Sequence, residues 1–229
     1  MIPFASIEDV IFDVSSALRV PVLILALVAL ALVLVELGTL AVELLRRRRH
    51  TPAALERATG AAAEALAHGD RAAAATALEA VVSGERMRSA VQRMLRQVAA
   101  PRGEQGMAKA VADFDLESLR RLERPRLLVR AGPALGLMGT LIPLSPALAG
   151  LANGDVQELT DNLRVAFSVT VLGLMTGAIA FGIALVKDRL YAQDLSDLEY
   201  IGASIEPSAP AAPAVLGQHP PAPPPAVVG

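Results

Sequence analysis

Thr140, Thr170, Glu36 and Glu43 are the residues whose types and settings could do chemistry, because each lies in or beside a long apolar stretch. Thr140 follows Gly132, Gly136 and Gly139, and Thr170 is followed by Gly173 and Gly177, with Ser168 two residues before it. A hydroxyl in such surroundings either bonds back to its own helix or joins others in lining a polar path. Proton relays and ion-coupled paths ordinarily need a titratable group at membrane depth. Here the carboxylate candidates are Glu36 and Glu43, while His50, His68 and His219 lie outside the apolar stretches. The chain has no cysteine, which excludes disulfides and thiolate metal sites. No nucleotide-binding loop, metal-spaced His/Glu cluster or nucleophile–base arrangement is present. The expectation is a protein that is not an enzyme, with no metal, no cofactor and no nucleic-acid partner.

The elements that must position these residues are three apolar stretches at 20–45, 131–152 and 165–186. The last two hold no charged residue, and at ~1.5 Å per residue each can cross a ~30 Å hydrocarbon layer. The first is uncharged up to Val35 and then admits Glu36 and Glu43. Charge is segregated around them: residues 46–130 carry seventeen Arg/Lys against ten Asp/Glu, beginning with Arg46, Arg47, Arg48 and Arg49. Residues 1–19 and 153–164 are acidic on balance. Basic residues stay on the cytoplasmic side, so the predicted fold is an all-α membrane protein with three transmembrane helices, N-terminus out and C-terminus in. A mean hydropathy of +0.47 agrees with a chain that lives in the lipid bilayer. Arginine outnumbers lysine 19 to 2 and alanine abounds, a composition that points to a GC-rich bacterial gene.

Between the spans the pattern is helical. Residues 1–19 place Ile7, Val10, Ile11 and Val14 on one stripe beside acidic residues, which predicts a short amphipathic segment at the outer face. The cytoplasmic region 46–130 is rich in Ala, Leu, Glu and Arg, good helix formers. Thr51 and Pro52 open one helix, Gly69 and Asp70 break it, and Ser83 caps another that Pro101 and Gly103 end. A further helix from Glu104 to Glu123 leads towards the membrane, with Pro125 and Pro133 punctuating the entry to the second span. The apolar positions are mostly Ala and Val, a thin core that suits helices extending from the spans and packing on neighbouring subunits. Residues 153–164 read as a short outer loop and 187–206 as a helical extension. Residues 207–229 hold eight prolines and no charged side chain, the composition of a disordered or polyproline-type tail.

Within the second span, Gly132, Gly136, Gly139 and Thr140 share a broad face. Pro143 and Pro146 free the carbonyls of Gly139 and Ile142, so a kink is expected. Thr170, Gly173 and Gly177 share a face of the third span. Two readings stand at this point. The small residues form a packing face between helices, or they line a partly hydrated path. Neither the second nor the third span has an ionisable group. Glu43 falls beside Arg46–Arg49 at the headgroups, in a solvated or ion-paired setting. Glu36 lies deeper, where it reaches for the interface, faces a protein neighbour or carries a proton. A transported proton would need a carboxylate from elsewhere.

Residues 135–140, Leu-Gly-Leu-Met-Gly-Thr, together with 168–174, Ser-Val-Thr-Val-Leu-Gly-Leu, resemble the signature segments of the MotA, TolQ and ExbB proton-channel family. The resemblance covers roughly residues 18–201 and extends to the layout of one span, a cytoplasmic helical region and a two-span hairpin. It implies a homopentameric ring in the bacterial cytoplasmic (inner) membrane, surrounding the single-span helices of a dimeric MotB-, TolR- or ExbD-like partner. In that family the partner's membrane Asp carries the proton and ring threonines line its path, with rotation of ring and partner converting proton flow into work on the envelope. By position those threonines are Thr140 and Thr170; the residues themselves add Glu36, Ser168, Gly139, Gly173 and Gly177 as secondary candidates. The chain departs from the family at Pro143, where many relatives have glycine, and in its Pro-rich tail. The alternative reading is a non-conducting scaffold that recruits cytoplasmic proteins, and a third is a solitary transporter that depends on Glu36.

Overall fold

A computed structural model describes residues 4–47, 51–98 and 100–206. The Pro-rich tail, Arg48, Arg49 and His50 lie outside the described residues. Among the described residues seven helices follow in order: α1 Phe4–Ala17, α2 Arg19–Arg46, α3 Pro52–Ala67, α4 Arg71–Glu79, α5 Gly84–Gln97, α6 Gly103–Ala152 and α7 Val156–Ile205. No strand occurs among the described residues. Three helical segments, 10–46, 103–152 and 156–205, are long and apolar enough to cross a membrane.

The architecture is dominated by α6 and α7, two 50-residue helices that pair as one antiparallel hairpin. At 1.5 Å per residue each is about 75 Å long, well beyond a bilayer's thickness. Three residues reverse the chain between them. Gly154 takes a φ of +83°, a left-handed conformation that favours glycine. Its N–H donates to the Leu151 carbonyl and that of Asp155 to Gly150, which closes the end of α6. The Asp155 carboxylate then accepts from the Glu158 N–H, capping α7. The stretch 153–164 expected as a loop therefore narrows to 153–155, because a helix stop and a helix cap share Asp155. The same device recurs at Gly69 and Asp70 between α3 and α4, with Asp70 accepting from the Ala73 N–H.

Pro125 and Pro133 do not interrupt the entry to the second span: α6 runs unbroken through Pro125, Pro133, Pro143 and Pro146. Proline in a helix interior costs about 3 kcal/mol through its missing N–H and its ring. Pro125 and Pro143 are fully buried here, so packing along the hairpin opposes that cost.

Helix α2 packs against both α6 and α7, with Ala29, Val33 and Leu40 meeting Leu128, Ala180 and Ile183. Beyond the apolar stretches, α3, α4 and α5 fold as a layer onto the extensions of α6 and α7. Their core holds Leu55, Leu78, Met87 and Met94 around Phe114 of α6 and Leu198 and Ile201 of α7. The Ala-rich helices thus complete their core with large residues from the extended hairpin of the same chain. Helix α1 leaves Ile7, Val10, Ile11 and Val14 exposed.

Candidate functional site

Glycines of α6 and α7 face each other along the hairpin. A Cβ at Gly173 would lie 2.6 Å from the Gly132 carbonyl oxygen and 2.7 Å from the Gly136 Cα. One at Gly132 would lie 2.7 Å from the Gly173 oxygen. Gly139 packs on the Val169 side chain, and Gly177 on the ring of Pro133. The Val129 carbonyl, which Pro133 leaves without its helical donor, lies against the same Gly177 backbone. Such backbone approach strengthens dispersion and weak Cα–H···O contacts, the forces that join helices in lipid. Gly139, Gly173 and Gly177 are thus buried between the two helices of one chain, in the packing role.

The hydroxyls are disposed around this seam. Thr170 Oγ1 donates across it to the Gly136 carbonyl at 3.4 Å, sharing that proton with Ala166 of its own helix at 3.2 Å. Thr140, one turn on from Gly136, is half-buried and donates back to the Leu137 carbonyl at 2.7 Å. Ser168 is exposed and donates back to Arg164. Thr176 is buried, and among the described residues its hydroxyl has no hydrogen-bond partner.

A second constellation joins α2 to α7, which run parallel. Lys187 Nζ donates to Glu36 Oε2 at 2.6 Å, with the two side chains 6% and 14% exposed. One turn on, Tyr191 Oη donates to Glu43 Oε2 at 3.4 Å. One turn further, the Arg47 guanidinium grips Asp194 through two hydrogen bonds of 2.5 and 3.1 Å. At the opposite end of α2, Arg19 donates to the Asn162 side chain at 2.8 Å. Burial raises the Asp194 carboxyl above its ordinary value, with Arg47 opposing the shift. Burial and then the charge of Glu43 raise the Tyr191 phenol, which keeps it a neutral donor.

Sequence reasoning placed Glu36 and Glu43 but missed their partners, assigning Glu43 to the neighbouring arginines. A signal was present in the stripe Ile183, Lys187, Tyr191, Asp194, Leu198 and Ile201, which recurs at helical spacing and is buried throughout. A Lys and an Asp within an otherwise apolar stripe call for polar partners on the facing helix.

Above α5, the Arg86 guanidinium stacks over the Tyr191 ring at 4.2 Å and the Phe114 ring at 5.3 Å. It ties the end of the ladder to the small-helix layer.

Long apolar helices, a glycine-sealed hairpin and a charged ladder at one end of it define a multi-pass membrane protein. A profile of the MotA/TolQ/ExbB proton channel family matches residues 78–199, more than half of the chain, and the chain belongs to that family. The match contains Thr140, Thr170 and the α7 side of the ladder. A search of curated proteins found no significant match.

Proposed function

We propose that this chain is the ring subunit of a proton-motive-force-driven complex in the bacterial cytoplasmic membrane, with no enzymatic activity of its own. Five copies surround the single-span helices of a dimeric partner akin to MotB, TolR or ExbD, with N-termini outside and C-termini inside. The partner's membrane carboxylate carries the proton, and Thr140 and Thr170 line its route. One observation carries this reading. The spans 131–152 and 165–186 own no ionisable group, and Glu36 of α2 is already held by Lys187. A proton crossing here needs an acid that the chain does not offer.

The hairpin's arrangement supports the same view. Its glycines are spent on intrachain packing, leaving the half-buried Thr140 and Thr170 at the seam's margin. Exposed Leu137, Leu141, Val171 and Leu174 remain for lipid and neighbouring subunits.

The test is proton flux into proteoliposomes holding the complex with its single-span partner. Replacing both threonines, Thr140→Val with Thr170→Val, should abolish flux while the complex still co-purifies. Wild-type flux from the double variant would refute the lining. Full flux from the ring without a partner would refute the borrowed acid.

A further inference from the structure

A cavity of about 610 Å³ opens where α2, α5, α6 and α7 converge, at the level where α2 leaves its apolar stretch. We propose that it binds the phosphate of an anionic phospholipid headgroup from the leaflet that meets Arg46. The proposal goes beyond the proton-path reading and does not depend on it.

The charge arrangement points to an anion. Every carboxylate of the lining already has a donor: Glu36 has Lys187, Glu43 has the Tyr191 hydroxyl, Glu85 has Arg88 and Glu117 has Arg121. Arg46, Arg120 and Arg124 line the same cavity, and among the described residues none of them has an ion-pair partner. Arg86 on the far wall is held by ring faces and by the Ser118 hydroxyl, and among the described residues it forms no ion pair. Glu43 meets only a neutral hydroxyl and keeps its charge, yet the lining still holds seven cations against four carboxylates, a positive balance contributed from three helices by Arg46, Arg86, Arg120 and Arg124. Guanidinium presents paired N–H donors that suit phosphate oxygens.

The lower wall favours a lipid over a soluble anion. Thr39 and Val42 of α2 belong to the lining. One and two turns back from Thr39 on the same face of α2, Val35 and Leu32 are exposed. An acyl chain can lie along these side chains while its headgroup meets the arginines. Basic pockets beside membrane helices at this depth suit anionic headgroups.

The test is thermal unfolding of the delipidated full chain in mixed micelles of detergent with either phosphatidylglycerol or phosphatidylcholine. Phosphatidylglycerol should raise the midpoint and phosphatidylcholine should not. Its apparent affinity should fall roughly tenfold or more in Arg46→Gln/Arg120→Gln/Arg124→Gln. A control with the same charge loss away from the cavity, Arg57→Gln/Arg71→Gln/Arg102→Gln, should keep the wild-type response. If inorganic phosphate alone stabilises the wild type and not the cavity variant, the site stands and the lipid source is overturned. Equal responses from the wild type and the cavity variant, or an equal loss in both triple variants, overturn the site.

Discussion

Lys187 of α7 and Glu36 of α2 meet at 2.6 Å, across 151 residues of sequence and almost out of contact with solvent. Each side chain supplies the other's ion-pair partner between the two helices. Breaking a buried pair from one side leaves an unmatched charge, at a cost of about 3–5 kcal/mol.

Glu36→Leu or Lys187→Met alone should therefore lower the thermal midpoint sharply in detergent. The double variant should recover most of the loss, since a well-packed apolar pair replaces an ion pair at little cost. If the two single effects simply add in the double variant, the pair is not coupled.

Gly173→Ala should separate α6 from α7, because its Cβ would meet backbone atoms of Gly132 and Gly136 that cannot rotate away. Overpacking of this kind costs about 1–3 kcal/mol. Gly182→Ala meets no atom within 4 Å and should be neutral or stabilising through helix propensity. Cysteine cross-linking across the hairpin, alongside thermal unfolding, distinguishes a separated seam from a general loss of fold.

The raised Asp194 carboxyl makes stability depend on pH. Its folded value lies above the unfolded one, so the native chain holds the proton more tightly. The contribution is present below the ordinary carboxylate value and is lost as pH rises through the raised one. The midpoint of the wild type should gain on that of Asp194→Asn as pH falls from neutral to about 4. A gap that moves the other way would show that Arg47, rather than burial, governs this carboxyl.

Arg86→Met should loosen α5 from α6 and α7 by removing the cation from the Tyr191 and Phe114 faces, at about 1–2 kcal/mol. Arg86→Lys should recover only part of this, since a lysine ammonium cannot stack as a plane. Limited proteolysis between α5 and α6 would report the loosening. Equal protection in all three proteins would sever the proposed tie.

Thr176→Val tests the assignment of hydroxyls to the seam. The Thr176 hydroxyl is buried without a partner, so its removal should be neutral or stabilising by up to about 1 kcal/mol. Thr170→Val, which loses a bond to Gly136, should destabilise by a similar amount in the opposite sense. Matching thermal shifts in the two variants would count against the distinction.

Much of this protein follows from local rules acting on short stretches. Uncharged runs of span length, the glycines flanking Thr140 and Thr170, and the helix stops at Gly69 and Pro101 are legible because each depends on neighbours within a turn or two. The tertiary structure decided three things that periodicity cannot reach. It carried α6 through Pro125 and Pro133, because tertiary packing offsets a local backbone penalty: Pro125 is fully buried and the Pro133 ring packs on Gly177 of α7. It assigned the glycines of both spans to one another, since a repeat names a face without naming its partner. It also set Lys187, Tyr191 and Asp194 against Glu36, Glu43 and Arg47, matches that exist only once two distant helices lie parallel and share a side.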